Sequence, residues 1–277
     1  MDRLLLAWTR NRDVESNNFC DSPALVLKSG LNKVEHNHQE WKRSILMNIM
    51  SLGGVIAATA NAGLSPQGPG VCDHNKYERC ANCVTSAPYV LCGIHSIKHR
   101  RTTAGKMWGA SLVGVGMASC AFHASSGDIR PACRRLDFWT IAAASNLMLR
   151  AVYPNCPHAV TALSIVATPF KPFMVSFCNS TAMELKYLYR AHMNKDLKRA
   201  QVFHATTCLI GLSCFAAEEI WPKLPFMHAA WHCLSAVAVS SINHLVADVE
   251  QNELGLKAGQ SKGVRATNAL PVQQLQV

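Results

Sequence analysis

Five stretches of this sequence contain no Asp, Glu, Lys or Arg. They lie between Arg43 and Asp73, Lys106 and Asp128, Arg150 and Lys171, Arg199 and Glu218, and Lys223 and Asp248. Each approaches or exceeds the roughly 20 apolar residues that carry a helix across a bilayer. An amphipathic helix of a soluble domain needs a wetted, charged face along its whole length. Five charge-free blocks in one chain therefore predict an all-α, polytopic membrane protein, in which helices satisfy their own backbone polar groups. The averages conceal this. Hydrophobic residues make up 49% of the 277 residues and mean hydropathy is +0.07, both ordinary. Only 16% of residues are charged, against about 25% in soluble domains. Disordered, collagenous and coiled-coil chains are excluded.

The formal net charge is +10. Lys and Arg gather at the ends of the apolar blocks, as in Lys42-Arg43, Arg100-Arg101, Arg134-Arg135 and Lys198-Arg199. A nucleic-acid binder would cluster them on one face, so the expected partner is the membrane and not nucleic acid. The pairs fall on both sides, so charge leaves sidedness open.

Seven spans are expected in one domain over 44–249, between a polar tail at 1–43 and a disordered tail at 250–277. The first is 44–65, ended by Pro66-Gln-Gly-Pro-Gly70. The second is 104–124 and the third 136–153. Pro169-Phe-Lys-Pro172 divides 157–190 into two, since one helix of that length would be about 50 Å long. The sixth is 200–221, closed by Pro222 and Pro225, and the seventh 226–249. Residues 71–103 form a long Cys-rich connection. Its apolar part, 84–97, would reach only about 21 Å as a helix and is expected to be interfacial or re-entrant. Cys72, Cys80, Cys83 and Cys92, with His74, His95 and His99, have the composition of disulfides, a metal knuckle or free thiols, and the three stay open.

Polar residues at membrane depth are costly and mark function. Ser119-Cys-Ala-Phe-His123 ends the second span, Asp137 opens the third, and His228-Ala-Ala-Trp-His232 opens the seventh. An i, i+4 pair shares one helix face, and two imidazoles so spaced can grip one metal ion. The pattern is common: twelve His give about half an HxxxH match by chance, and His95-Ser-Ile-Lys-His99 is a second one. A single His on an apolar helix more often hydrogen-bonds a neighbouring helix. Seven-span topology adds weight, because it puts Ser119, His123, Asp137, His228 and His232 at similar depth on one side. Three neutral His with one open position form a catalytic zinc set.

At these residues the chain resembles a superfamily of seven-span membrane hydrolases. It contains the alkaline ceramidases, Per1-type GPI-lipid remodelling enzymes and adiponectin/progestin-type receptors. The shared signature is SxxxH, a following Asp and HxxxH, in that order. Phe170-Lys-Pro172 with Asn179-Ser180 is similar to the ceramidase branch, and Glu218-Glu219 before Trp221-Pro222 to the Per1 branch. The resemblance implies zinc on His123, His228 and His232, with Ser119 and Asp137 at the water or the developing oxyanion. It implies cleavage of the N-acyl bond of a ceramide-like lipid within the bilayer of the endoplasmic reticulum or Golgi. Ester cleavage in a GPI lipid or phospholipid, and a non-catalytic receptor or scaffold, are the alternatives. The interval from His123 to Asp137 is longer than in either enzyme branch, which leaves Asp128 as the other candidate acid.

Overall fold

The computed structural model describes residues 72–267. The expected polar tail at 1–43 and first span at 44–65 lie outside the described residues. Within them the chain is helical and has no strand, as an all-α reading requires. The helices are α1 (Lys76–Thr85), α2 (Ala87–His99), α3 (Thr103–Ala124), α4 (Arg130–Val152), α5 (His158–Ala167), α6 (Pro172–Met193), α7 (Lys195–Ile220) and α8 (Met227–Thr267).

The Cys-rich connection is not a loop. Two helices fill most of it, and both pack into the bundle against α3 and α8. The Asn75 side chain caps α1 by accepting from the Tyr77 and Glu78 N–H groups, while Glu78 accepts from the His74 N–H. This is a reciprocal capping box shifted by one residue at its return bond. Pro88 sits in the first turn of α2, where its missing N–H costs nothing. A Cβ on Gly93 would lie 2.5 Å from the Gly109 carbonyl oxygen, and one on Gly109 would lie 2.9 Å from that of Gly93. Only a residue without a side chain lets α2 and α3 approach so closely.

Helix α3 runs between α2 and α4, α4 packs on α6, and α7 on α8. The core is formed by Trp108, Leu112, Met148, Val152, Met183, Tyr187, Leu245 and Val246. Helix α8 does not stop where the tail was expected at 250. It continues to Thr267, in a stretch with no Pro before Pro271 to interrupt it.

Among the described residues, two helical segments are long and apolar enough to cross a membrane. They are Thr103–Ala124, with mean hydropathy 1.2, and Lys195–Glu218, with 1.4. The expected third and seventh spans fall within the long helices α4 and α8, which are not among these two segments. Helix α5 has ten residues, about 15 Å of rise. It is apolar, yet none of its residues is buried. Exposed apolar side chains continue along α3 and α7 at Met107, Met117, Val202, Phe203 and Ile210.

Candidate metal centre

The C-terminal end of α3 meets the N-terminal end of α8, and three imidazoles come together there. The ring centroids of His123 and His228 are 5.1 Å apart, His123 and His232 5.2 Å, and His228 and His232 4.6 Å. His123 is fully buried, His232 is buried and His228 half-buried.

Each ring is held through Nδ1. His123 Nδ1 donates to the Asp73 carboxylate at 3.0 Å, and His228 Nδ1 to Glu218 Oε2 at 2.9 Å. His232 Nδ1 lies 3.2 Å from Thr85 Oγ1. The Thr85 proton already goes to the Ala81 carbonyl at 2.8 Å, so the hydroxyl accepts from the imidazole. The three bonds fix one tautomer, with the proton on Nδ1 and a bare lone pair on Nε2. Nε2 of His123 is buried and has no hydrogen-bond partner. A buried nitrogen without a partner is costly, and an outer-sphere carboxylate on the other nitrogen is how proteins orient a metal-binding histidine. The donor atoms of Cys72, His123 and His228 lie within 4.8 Å of one another, a group that could hold a metal ion. His232 stands beside that tight set rather than inside it.

The segment before α1 and α1 itself fix this geometry. Asp73 also accepts from Arg130 and, at 2.8 Å, from Asn82 Nδ2. Burial alone would raise its carboxyl. The hydrogen bonds from His123 and Arg130 outweigh that and hold it well below the usual carboxylate range. Burial pushes the neighbouring Cys72 thiol up to about 12. The last turn of α3 leaves carbonyls unpaired, and two arginines take them. Arg79 donates to the carbonyls of His123, Ala124 and Ser125, and Arg130 to those of Phe122 and Ser125. Their charge also suits the negative end of the helix. Gly127, at φ 62°, makes the turn that returns the chain into α4 and places Arg130 there.

The two candidate acids separate clearly. Asp137 is buried and its Oδ1 has no hydrogen-bond partner. Asp128 is exposed in a single 3-10 turn. Ser119 is buried one turn before His123, with its Oγ 3.0 Å from Ser86 Oγ. Ser86 in turn reaches the Asn82 carbonyl at 2.8 Å, so Ser119 and His123 are both tied to α1.

Other candidates are not brought to this place. His95 and His99 stack with centroids 4.1 Å apart on the exposed face of α2. The four cysteines of the connection are all free and do not form one cluster. Cys80 is exposed, Cys83 Sγ points to the Cys120 carbonyl and Cys92 Sγ to that of Ala236. Glu218 is buried on His228. Glu184 pairs with His204 at 2.6 Å. A cavity of about 440 Å³ lined by Tyr153, Lys186, Arg190 and Val249 contains no residue of the histidine site. It lies beyond the C-terminal end of α4, whereas Asp137 is near the start of that helix.

Asp73, Asn82 and Thr85 were not singled out in the sequence. The available signal was Asn75 followed by Glu78, a helix-start pattern that predicts α1. No protein-family model matches this chain, no curated protein matches it, and no solved structure matches it.

Proposed function

We propose that this chain is a multi-pass membrane hydrolase of the endoplasmic reticulum or Golgi that uses zinc to cleave the N-acyl bond of ceramide-like lipids. The observation that carries the reading is the common anchoring through Nδ1 of three imidazoles whose ring centroids lie 4.6–5.2 Å apart, with the buried Nε2 of His123 left without a partner. His123, His228 and His232 would hold the ion. When bound, zinc supplies Lewis acidity, which polarises a carbonyl and makes water nucleophilic near neutral pH.

The protein's own groups supply the rest. Asp137 Oδ1, buried and without a partner, accepts the proton of the attacking water and returns it to the leaving amine. The Ser119 hydroxyl, on the His123 face of α3, accepts from Ser86 and keeps its own proton to donate to the oxyanion. Asp73, Glu218 and Thr85 hold the rings so that their lone pairs do not turn away.

A seven-span arrangement in the bilayer accounts for the exposed apolar flanks. The apolar window of Lys195–Glu218 is only 22% buried. A core helix of a soluble protein would be covered, so this surface calls for a lipid neighbour. The site lies at the ends of α3 and α8, where an acyl chain in the bilayer reaches it without entering water.

Purified protein should be given ceramide and a diacyl phospholipid side by side in vesicles. Release of fatty acid from ceramide alone supports the amide reading. Release only from the ester transfers the site to the GPI-lipid or phospholipid class. No hydrolysis of either by zinc-loaded protein favours a receptor or scaffold.

A further inference from the structure

The histidine site has a sulfur donor that the three-imidazole scheme does not use. Cys72 Sγ belongs to the tight donor set with His123 and His228, all within 4.8 Å of one another. Ligand atoms on one tetrahedral ion are about 3.5–4 Å apart, so a small inward movement completes the contact. The placement of Cys72 is built and not incidental. Asn82, almost fully buried, donates from Nδ2 to the Cys72 carbonyl at 2.8 Å and to Asp73 Oδ1 at 2.8 Å. Asp73 is clamped by His123 and Arg130. The same carboxylate that orients His123 therefore delivers the adjoining thiol to the site. Independently, His123 is fully buried and its Nε2 has no partner.

We propose that Cys72 is a fourth metal ligand that closes the resting site, and that a substrate must displace it. The proposal rests on the metal reading above. A metal held by three imidazoles keeps one position open, and a fourth protein ligand converts it to a closed site. Binding forms a sulfur–metal bond and releases the thiol proton to water. Opening breaks that bond, and the departing thiolate takes a proton back. The segment 72–75 before α1 is then a gate, with Asn82 and Asp73 setting its resting position.

The test uses the full-length protein loaded with cobalt(II), whose bonds to thiolate give a near-ultraviolet charge-transfer band. The band should be present in the wild type and in Cys80→Ser, and lost in Cys72→Ser and His123→Ala. Cys72→Ser should keep its cobalt, since three imidazoles remain, and should hydrolyse lipid faster than the wild type. A second measurement does not depend on that variant folding. Alkylation of Cys72, read by mass spectrometry of its peptide, should be slowed by bound metal and restored by a chelator. Cobalt bound without a thiolate band, a band that survives in Cys72→Ser, or alkylation equal with and without metal overturns the gate and leaves the three-histidine site standing. A wild type that binds no cobalt overturns both.

Discussion

Two buried histidine clusters occupy this bundle, and they differ in one nitrogen. At the His123, His228 and His232 site every Nδ1 is anchored, and His123 Nε2 is left bare in the interior. In the second cluster His204 Nε2 meets Glu184 Oε1 at 2.6 Å and Cys208 Sγ at 3.5 Å. Its Nδ1 meets the Ala238 carbonyl and Ser241 Oγ at 2.9 and 2.8 Å. Glu184, His204 and Cys208 also have donor atoms within 4.8 Å of one another. Composition and proximity alone would rank the two clusters together. Hydrogen-bond accounting separates them, since His204 is satisfied on both sides as a structural pair joining α6, α7 and α8. His123 has a lone pair that only a further partner can use.

The largest effect that sharpens this contrast is expected for His228→Ala. It removes one of the two imidazoles in the tight donor set with Cys72, so zinc and hydrolysis should both be lost, as metal analysis and lipid turnover would show. Next comes Asp137→Asn, which keeps the shape and removes the base. Turnover should fall by roughly 100-fold or more while zinc stays bound. Full turnover in that variant would break the assignment. Asp73→Asn leaves all three ligands in place but weakens the anchor of His123, and metal affinity should drop by about 10–100-fold in a competition titration.

The second cluster gives an effect of another kind. Glu184→Gln removes the charge beside His204 and should cost about 1–3 kcal/mol of stability, read from thermal unfolding. The smallest effects are expected outside both clusters. The double variant His95→Ala with His99→Ala, and separately Asp128→Asn, should change turnover by less than about threefold, because surface substitutions away from a site are usually mild.

Much of the candidate site is legible in the sequence because it sits at the ends of apolar blocks. His123 closes one block, His228 and His232 open another, and Asp137 opens a third helix. Chain polarity in a helical bundle is enough to suggest that these ends meet. The anchors are a different matter. Asp73 reaches His123 across 50 residues and Thr85 reaches His232 across 147. No local period encodes such pairings. They lie in a segment whose apolar part is too short to span and whose charges break any apolar run, so it reads as a connection. The capping residues Asn75 and Glu78 mark the start of α1, but nothing in the spacing of Thr85 or Asn82 says what they face. Glu218 and Glu184 show the same limit. Both stand near helix positions where a charge usually faces the interface, and each is turned inward by a histidine on another helix.

The most direct test of the contrast is the zinc content of wild type, His123→Ala and Glu184→Gln, purified and measured side by side. The account predicts one zinc per chain in the wild type and in Glu184→Gln, and none in His123→Ala. Full occupancy in His123→Ala, or loss of zinc in Glu184→Gln with the fold intact, would contradict it.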